Sequence, residues 1–119
     1  MKKGFAAAVA ACVMICSAMF GGCKKNGTTL EKDTLVVGYT IYAPMNYFDD
    51  SGKLIGFDTE LAEETANVLG KKIEFKEINW DNKIFALNSG EVDMVWNGMT
   101  IMDELKEAMA ISDPYMENK

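Results

Sequence analysis

The stretch Glu91-Val92-Asp93-Met94-Val95-Trp96-Asn97-Gly98-Met99-Thr100 carries two signals at once. Val92, Met94, Val95 and Trp96 form a short apolar run of strand-forming residues, bounded by Gly90 and by Asn97-Gly98, the pattern of an inner strand of a parallel sheet. Ligands of open α/β sheets sit just beyond the carboxyl ends of the strands, where Asn97, Gly98 and Thr100 fall. A glycine there lets a ligand approach the backbone, and the Asn amide and Thr hydroxyl offer donors and acceptors. Asn-Gly is equally a plain turn signal, so the rest of the chain must choose.

Working outward, Thr34-Leu35-Val36-Val37-Gly38-Tyr39 is a first β-rich run, and Asp49-Asp50-Ser51-Gly52 is a turn. After Leu54-Ile55-Gly56-Phe57, Asp58 stands as an N-cap with Glu60 in the first turn. Leu61, Thr65, Val68 and Leu69 recur at helical spacing until Gly70 stops the helix. Ile73 to Ile78 starts as an alternating strand, and Asp81 caps a second helix carrying Ile84, Phe85 and Leu87. The strand from Val92 follows, then a short polar helix from about Asp103 to Met109. Strand, helix, strand, helix, strand is the order of βαβ units, so the expected fold is one α/β lobe with a parallel sheet.

Composition narrows the chemistry. The 119 residues contain no histidine, and all twelve basic residues are lysines. Histidine-based zinc sites, Ser-His-Asp triads and Cys-His dyads are therefore absent, and no guanidinium fork can grip a carboxylate. No metal or cofactor is expected. The formal charge of −6 becomes −8 without residues 1–22, which carry Lys2 and Lys3 and no acid. Such a surface repels nucleic acid and anionic lipid. The acid pairs Glu63-Glu64 and Glu104 with Glu107 fall on polar helix faces and read as solvated surface.

Lys2-Lys3, the apolar and small stretch Phe5 to Phe20, and Gly21-Gly22 outline a secretory signal over residues 1–22. Phe20-Gly21-Gly22-Cys23 resembles a bacterial lipobox, with Phe20 where leucine is more usual. That resemblance implies a lipidated Cys23 holding the protein on the outer face of the cell membrane. Cys12 and Cys16 leave with the signal, so no internal disulfide remains. Residues 23–34 read as lipid attachment and tether, Lys24 to Asp33 reaching at most about 35 Å.

From Leu35 to Tyr115 the chain resembles the extracytoplasmic solute-binding proteins of polar amino-acid ABC transporters, solute-binding family 3. The resemblance rests on Leu35-Val36-Val37-Gly38, Tyr42-Ala43-Pro44, Gly52-Lys53-Leu54-Ile55-Gly56-Phe57-Asp58, Leu61 to Gly70, Trp80-Asp81, Ala86-Leu87-Asn88-Ser89-Gly90-Glu91-Val92-Asp93, Asn97-Gly98-Met99-Thr100-Ile101 and Ser112-Asp113-Pro114-Tyr115, in that order. It implies a type II periplasmic-binding-protein fold of two lobes closing on a ligand, with residues 35–119 as the first lobe only. It implies a small-molecule ligand, an amino acid or relative, and ABC permease subunits as partners.

By the same resemblance Tyr42 and Phe57 are aromatic walls, and Asn97, Gly98 and Thr100 bind the ligand's polar groups. Two ring faces can bury an apolar stem and attract a cationic one; core packing is the bland account of either ring, and helix entry that of Thr100. Tyr39, Trp96 and Leu105 are further candidates. Leu105 departs from the family, which commonly has there an arginine that clamps the α-carboxylate, and Met102 replaces a second threonine. Losing a desolvated Arg-carboxylate pair costs about 2 kcal/mol or more, so either a lysine, Lys106 being the nearest, substitutes or the ligand is not a standard α-amino acid. Two other classes stay open: an enzyme on this fold, such as a lyase or the front end of a murein transglycosylase, and a sensor or truncated lobe without transport.

Overall fold

The computed structural model describes residues 29–117. The expected signal over residues 1–22, Cys23 and residues 24–28 of the tether lie outside the described residues; within them the expected tether already holds a 3-10 turn at Thr29–Glu31, and Thr34 opens β1.

Three strands form a parallel sheet: β1 (Thr34–Tyr39), β4 (Lys72–Glu77) and β5 (Met94–Val95). Their order is β4-β1-β5, with Thr34 opposite Lys72, and Val37 and Gly38 opposite Met94 and Val95. The expected parallel α/β lobe is thus present, but the central strand is β1. Among the described residues the Val92 stretch is an edge strand of two ladder residues. Just before it, Asp93 holds β1 twice: its amide donates to the Val36 carbonyl at 2.8 Å and its carboxylate accepts the Val36 amide at 2.9 Å, while the carboxylate also meets the Lys32 ammonium.

Two further strands, β2 (Tyr47–Phe48) and β3 (Leu54–Ile55), make a small antiparallel hairpin. The Asp49 carboxylate forms its turn by accepting from the amides of Ser51 and Lys53 and from the Ser51 hydroxyl. These bonds hold its pKa below the usual carboxylate range.

Helix α1 (Phe57–Val68) crosses from the hairpin to β4, α2 (Lys83–Asn88) from β4 to β5, and α3 (Asp103–Ala108) follows the β5 loop. Pleating sends alternate residues of β1 to opposite faces. Leu35, Val37 and Tyr39 are buried on one face. On the other, Ile78, Ala86 and Val92 form a core with Val36, Leu87 and Val95 around it. Gly38 makes room there: a β-carbon would lie 3.2 Å from both Ile78 and Val92.

The buried face of α1 is Asp58, Thr59, Ala62 and Ala66, not the Leu61-Thr65-Val68-Leu69 row. Val68 is 80 % exposed. Small residues let the helix lie close against its neighbours, a signal that hydrophobicity alone misses. Neither expected acidic cap forms. Asp58 lies inside α1, whose N-cap is Gly56, and Asn79 rather than Asp81 caps the 3-10 turn Trp80–Asn82 before α2, accepting the Asp81 amide at 2.9 Å. Gly70 ends the α1 turn with φ near 65°.

Candidate functional site

Parallel pairing puts the carboxyl ends of β1 and β5 on one edge of the lobe, and two segments meet there. The first leaves β1 through Thr40 into a tight loop in which the amides of Met45 and Asn46 both donate to the Tyr42 carbonyl. The second leaves β5 through Trp96, whose amide donates to the Gly38 carbonyl at 3.0 Å.

Asn97 ties the two together. Its Nδ2 donates to the Thr40 carbonyl at 2.8 Å and to Asn46 Oδ1 at 2.7 Å, and its Oδ1 accepts the Thr40 hydroxyl at 3.3 Å. Asn46, with no exposed surface, passes the chain on by donating to the Thr59 hydroxyl at 3.0 Å, which donates to the Ile55 carbonyl at 3.2 Å. This run of buried polar groups joins β1, the 42–46 loop, β3, α1 and the β5 loop. Both amide protons of Asn97 are thus taken up within the lobe, and its side chain fixes the two loops to each other.

The start of α1 is brought to the same edge. The amides of Phe57, Asp58 and Thr59 donate to the carbonyls of Pro44 and Met45, and that of Glu60 to Gly56. Gly56 makes this docking possible. Its φ is 125°, and a β-carbon would lie 2.3 Å from the Met45 carbonyl oxygen, a contact no side-chain-bearing residue can hold.

Tyr42 lies against Gly98: a β-carbon on Gly98 would come within 2.9 Å of the Tyr42 ring. Tyr42 and Phe57 are each 47 % exposed, so both rings show a face to solvent at this edge. Thr100 is exposed two residues beyond Gly98. The structure thus connects Tyr42, Phe57, Asn97 and Gly98 through one hydrogen-bonded loop system.

The three further candidates fall differently. Tyr39 is 5 % exposed and meets Phe75 edge on at 6.1 Å, and burial, then the Glu77 charge, raises its pKa. Leu105 is 8 % exposed, the inward residue of α3. Apolar burial accounts for both positions, and neither side chain is presented at the surface. Lys106 pairs with Asp103 along α3 at 3.0 Å instead of turning toward position 105. Trp96 is half-buried, its ring 6.5 Å from that of Tyr115.

Tyr115 and Asp58 were not among the sequence candidates. The Tyr115 ring stacks on Phe57, 6.3 Å apart and inclined 22°, and its hydroxyl donates to Asp58 Oδ1 at 2.7 Å. Asp58 is fully buried, its Oδ2 lacks a partner, and burial raises its pKa although the Tyr115 hydrogen bond opposes the rise. Burial and then the Asp58 bond and charge push the Tyr115 phenol well above its ordinary range. The sequence hint was an acid in a helix first turn whose capping role the fold does not use.

Among the described residues no group of three or more His, Cys, Asp or Glu side chains could hold a metal, and no helix is long and apolar enough to cross a membrane. A concavity of about 340 Å³ lined by Lys32, Leu87, Ser89, Val92 and Asp93 opens at the opposite, amino-terminal end of the strands, away from the aromatic edge.

A parallel α/β lobe whose strand ends carry a hydrogen-bonded loop and half-exposed rings is the architecture of a ligand-binding lobe. Residues 35–119 match the bacterial extracellular solute-binding proteins, family 3, and the chain belongs to that family. It is 38 % identical over 98 % of its length to a probable histidine-binding protein of Neisseria gonorrhoeae, covering 45 % of that protein. It is 40 % identical over 71 % of its length to the L-cystine-binding protein TcyJ of Escherichia coli, covering 32 % of it. The chain therefore spans less than half the length of these relatives.

Among solved structures, an ancestral arginine-binding protein bound to arginine matches 72 % of the chain, with TM-score 0.70 and 46 % identity over 38 % of that protein. Arginine-bound domain 1 from TmArgBP matches 74 % of the chain and 69 % of its own, with TM-score 0.69 and 35 % identity. An ancestral cyclohexadienyl dehydratase matches 74 % of the chain and 37 % of its own, with TM-score 0.69 and 36 % identity, so the fold also carries an enzyme.

Proposed function

We propose that this chain supplies the first lobe of an extracytoplasmic binding protein that captures an amino acid, or a close relative of one, for an ABC permease. The observation that carries the reading is the Asn97-centred network, which fixes the Tyr42-Gly98 contact and the Phe57 helix start on one edge. Two half-exposed rings held this way can flank an apolar or cationic side chain, and the backbone from Gly98 to Thr100 supplies polar groups beside them. No bond need be made or broken.

Relatives named for histidine, cystine and arginine support an amino-acid ligand, and an arginine-bound single domain supports binding by one lobe. In our reading residues 1–22 direct export, a lipid on Cys23 anchors the protein to the outer face of the membrane, and the residues between Cys23 and the Thr29–Glu31 3-10 turn are the tether, since Lys32 and Thr34 already belong to the lobe. Tyr42, Phe57, Gly98 and Thr100 contact the ligand, while Asn97 holds the loop and Trp96 borders it.

The test is a thermal-shift and calorimetric screen of the purified chain against the proteinogenic amino acids and cystine. A true ligand at 100 times its Kd raises stability by about 2.7 kcal/mol through mass action. Tyr42→Ala and Phe57→Ala should each remove the shift. Absence of a shift with every compound overturns the reading, and turnover of a compound would favour the enzyme that the dehydratase neighbour represents.

A further inference from the structure

We propose that Tyr115 and Asp58 are positioning residues that set the Phe57 wall of the cleft, linking the ligand-facing ring to the irregular segment that follows α3. The inference rests on the reading of Phe57 as a ligand wall and adds two residues to it.

Asp58 is the starting point. A carboxylate with no exposed surface costs several kcal/mol unless it is well partnered, and in the first turn of a helix the usual return is a capped amide. Here that return is absent. The amides of residues 57 to 60 are bonded to the carbonyls of Pro44, Met45 and Gly56, and α1 has no side-chain cap. What Asp58 does hold is the Tyr115 hydroxyl, at 2.7 Å.

Tyr115 in turn lies in a stretch without regular secondary structure, beyond the end of α3. Its ring covers one side of Phe57, nearly parallel at 22°, and tilts against Trp96. The neighbouring Ser112 hydroxyl bonds locally, to the Asp113 carbonyl. Tyr115 thus joins an irregular segment to α1 by one charge-assisted bond and one ring stack, and both converge on residues 57 and 58. Phe57 is 47 % exposed, so its packing against Tyr115 restrains the ring that a ligand would meet. A wall fixed in advance lowers the ordering cost of binding.

Three variants test this: Tyr115→Phe removes the hydroxyl and keeps a ring, Asp58→Leu removes the acceptor, and Asp58→Asn keeps an oxygen that can accept. Titrations with L-arginine, L-histidine and L-cystine are run well below each variant's unfolding temperature. Tyr115→Phe and Asp58→Leu should weaken the Kd of whichever compound binds by about five- to tenfold. Asp58→Asn should recover most of the affinity lost in Asp58→Leu. Lowered melting temperatures with unchanged Kd would overturn the proposal.

A second readout needs no ligand. In the full chain carrying 13C-labelled phenylalanine, the Phe57 ring resonances, assigned with Phe57→Leu, should shift or broaden in Tyr115→Phe and Asp58→Leu and return toward wild type in Asp58→Asn. Unchanged resonances overturn the positioning role. If the wild-type chain binds none of the amino acids, the functional reading falls, and the ring resonances alone decide this one.

Discussion

Asn97 Nδ2 and Asn46 Oδ1 lie 2.7 Å apart inside the lobe, and through that bond the loop after β5 is fixed to the loop after β1. The pair bridges two connections that leave different strands of the sheet. Asn46→Leu fills similar space but strips an acceptor from Asn97 and a donor from Thr59, both buried. Each stranded group costs about 1–3 kcal/mol, so the variant should lose roughly 2–4 kcal/mol in urea denaturation. Ligand affinity should fall with it, because the edge loses its shape.

Gly98→Ala should separate stability from binding. Its new methyl would press on the Tyr42 ring, which is half-exposed and can swing away, so unfolding should change by about 1 kcal/mol or less. The displaced ring no longer presents the same face, and the Kd of the amino acid found by screening should rise several-fold. Calorimetry beside a denaturation curve checks both halves.

Two aspartates give opposite pH signatures. Burial raises Asp93's pKa, but the Lys32 and Val36 hydrogen bonds and the Lys32 charge together carry it below the usual value. Its contribution is therefore present above the ordinary aspartate pKa of about 3.9 and disappears as pH falls through the lowered folded value. Asp58 is raised by burial, so its contribution is full below about pH 3.9 and is lost as pH rises through the raised folded value. In urea midpoints measured from pH 3 to 7, Asp93→Asn should be most damaging near neutrality and approach wild type in acid. Asp58→Asn should gain on wild type as pH rises.

Val37 and Val68 test the packing. Val37 has no exposed surface on the central strand and Val68 is 80 % exposed at the end of α1. Val37→Ala should cost roughly 2–3 kcal/mol through lost contacts and a cavity, whereas Val68→Ala should stay within about 0.5 kcal/mol. Chemical denaturation of the two variants is sufficient.

Where local pattern and tertiary role coincided, the sequence was readable. The β1 run, the Asp49-Gly52 turn, the stop at Gly70 and the helix from Asp103 all follow from propensity and turn chemistry, and their order implied the parallel sheet. Reading failed where a residue's partner is distant in the chain. Val68 and Leu69 had the right spacing for a core face, but α1 packs through Ala62 and Ala66, because proximity to the sheet outweighs hydrophobicity there. Asp58 had the right type for a cap, yet carbonyls from the 44–45 loop had already taken the amides. Asn97 was rightly placed at the strand edge, but which partners its amide would meet depended on Asn46 and Thr40, more than fifty residues away. Of the residues the resemblance proposed, Tyr42, Phe57, Asn97 and Gly98 share one hydrogen-bonded loop system; Tyr39 and Leu105, residues of mixed or apolar character, went into the core.

Gly56 carries an evolutionary corollary. Any amino acid reached from a glycine codon by a single base change brings a β-carbon, and at this position that atom would collide with the Met45 carbonyl. Gly52, Gly70 and Gly90 also have positive φ, but a β-carbon there meets open space. A side chain at those three sites meets backbone strain of about 1–2 kcal/mol but no clash, while a lineage at Gly56 meets both and has no viable neighbour one mutation away unless the 42–46 loop changes first.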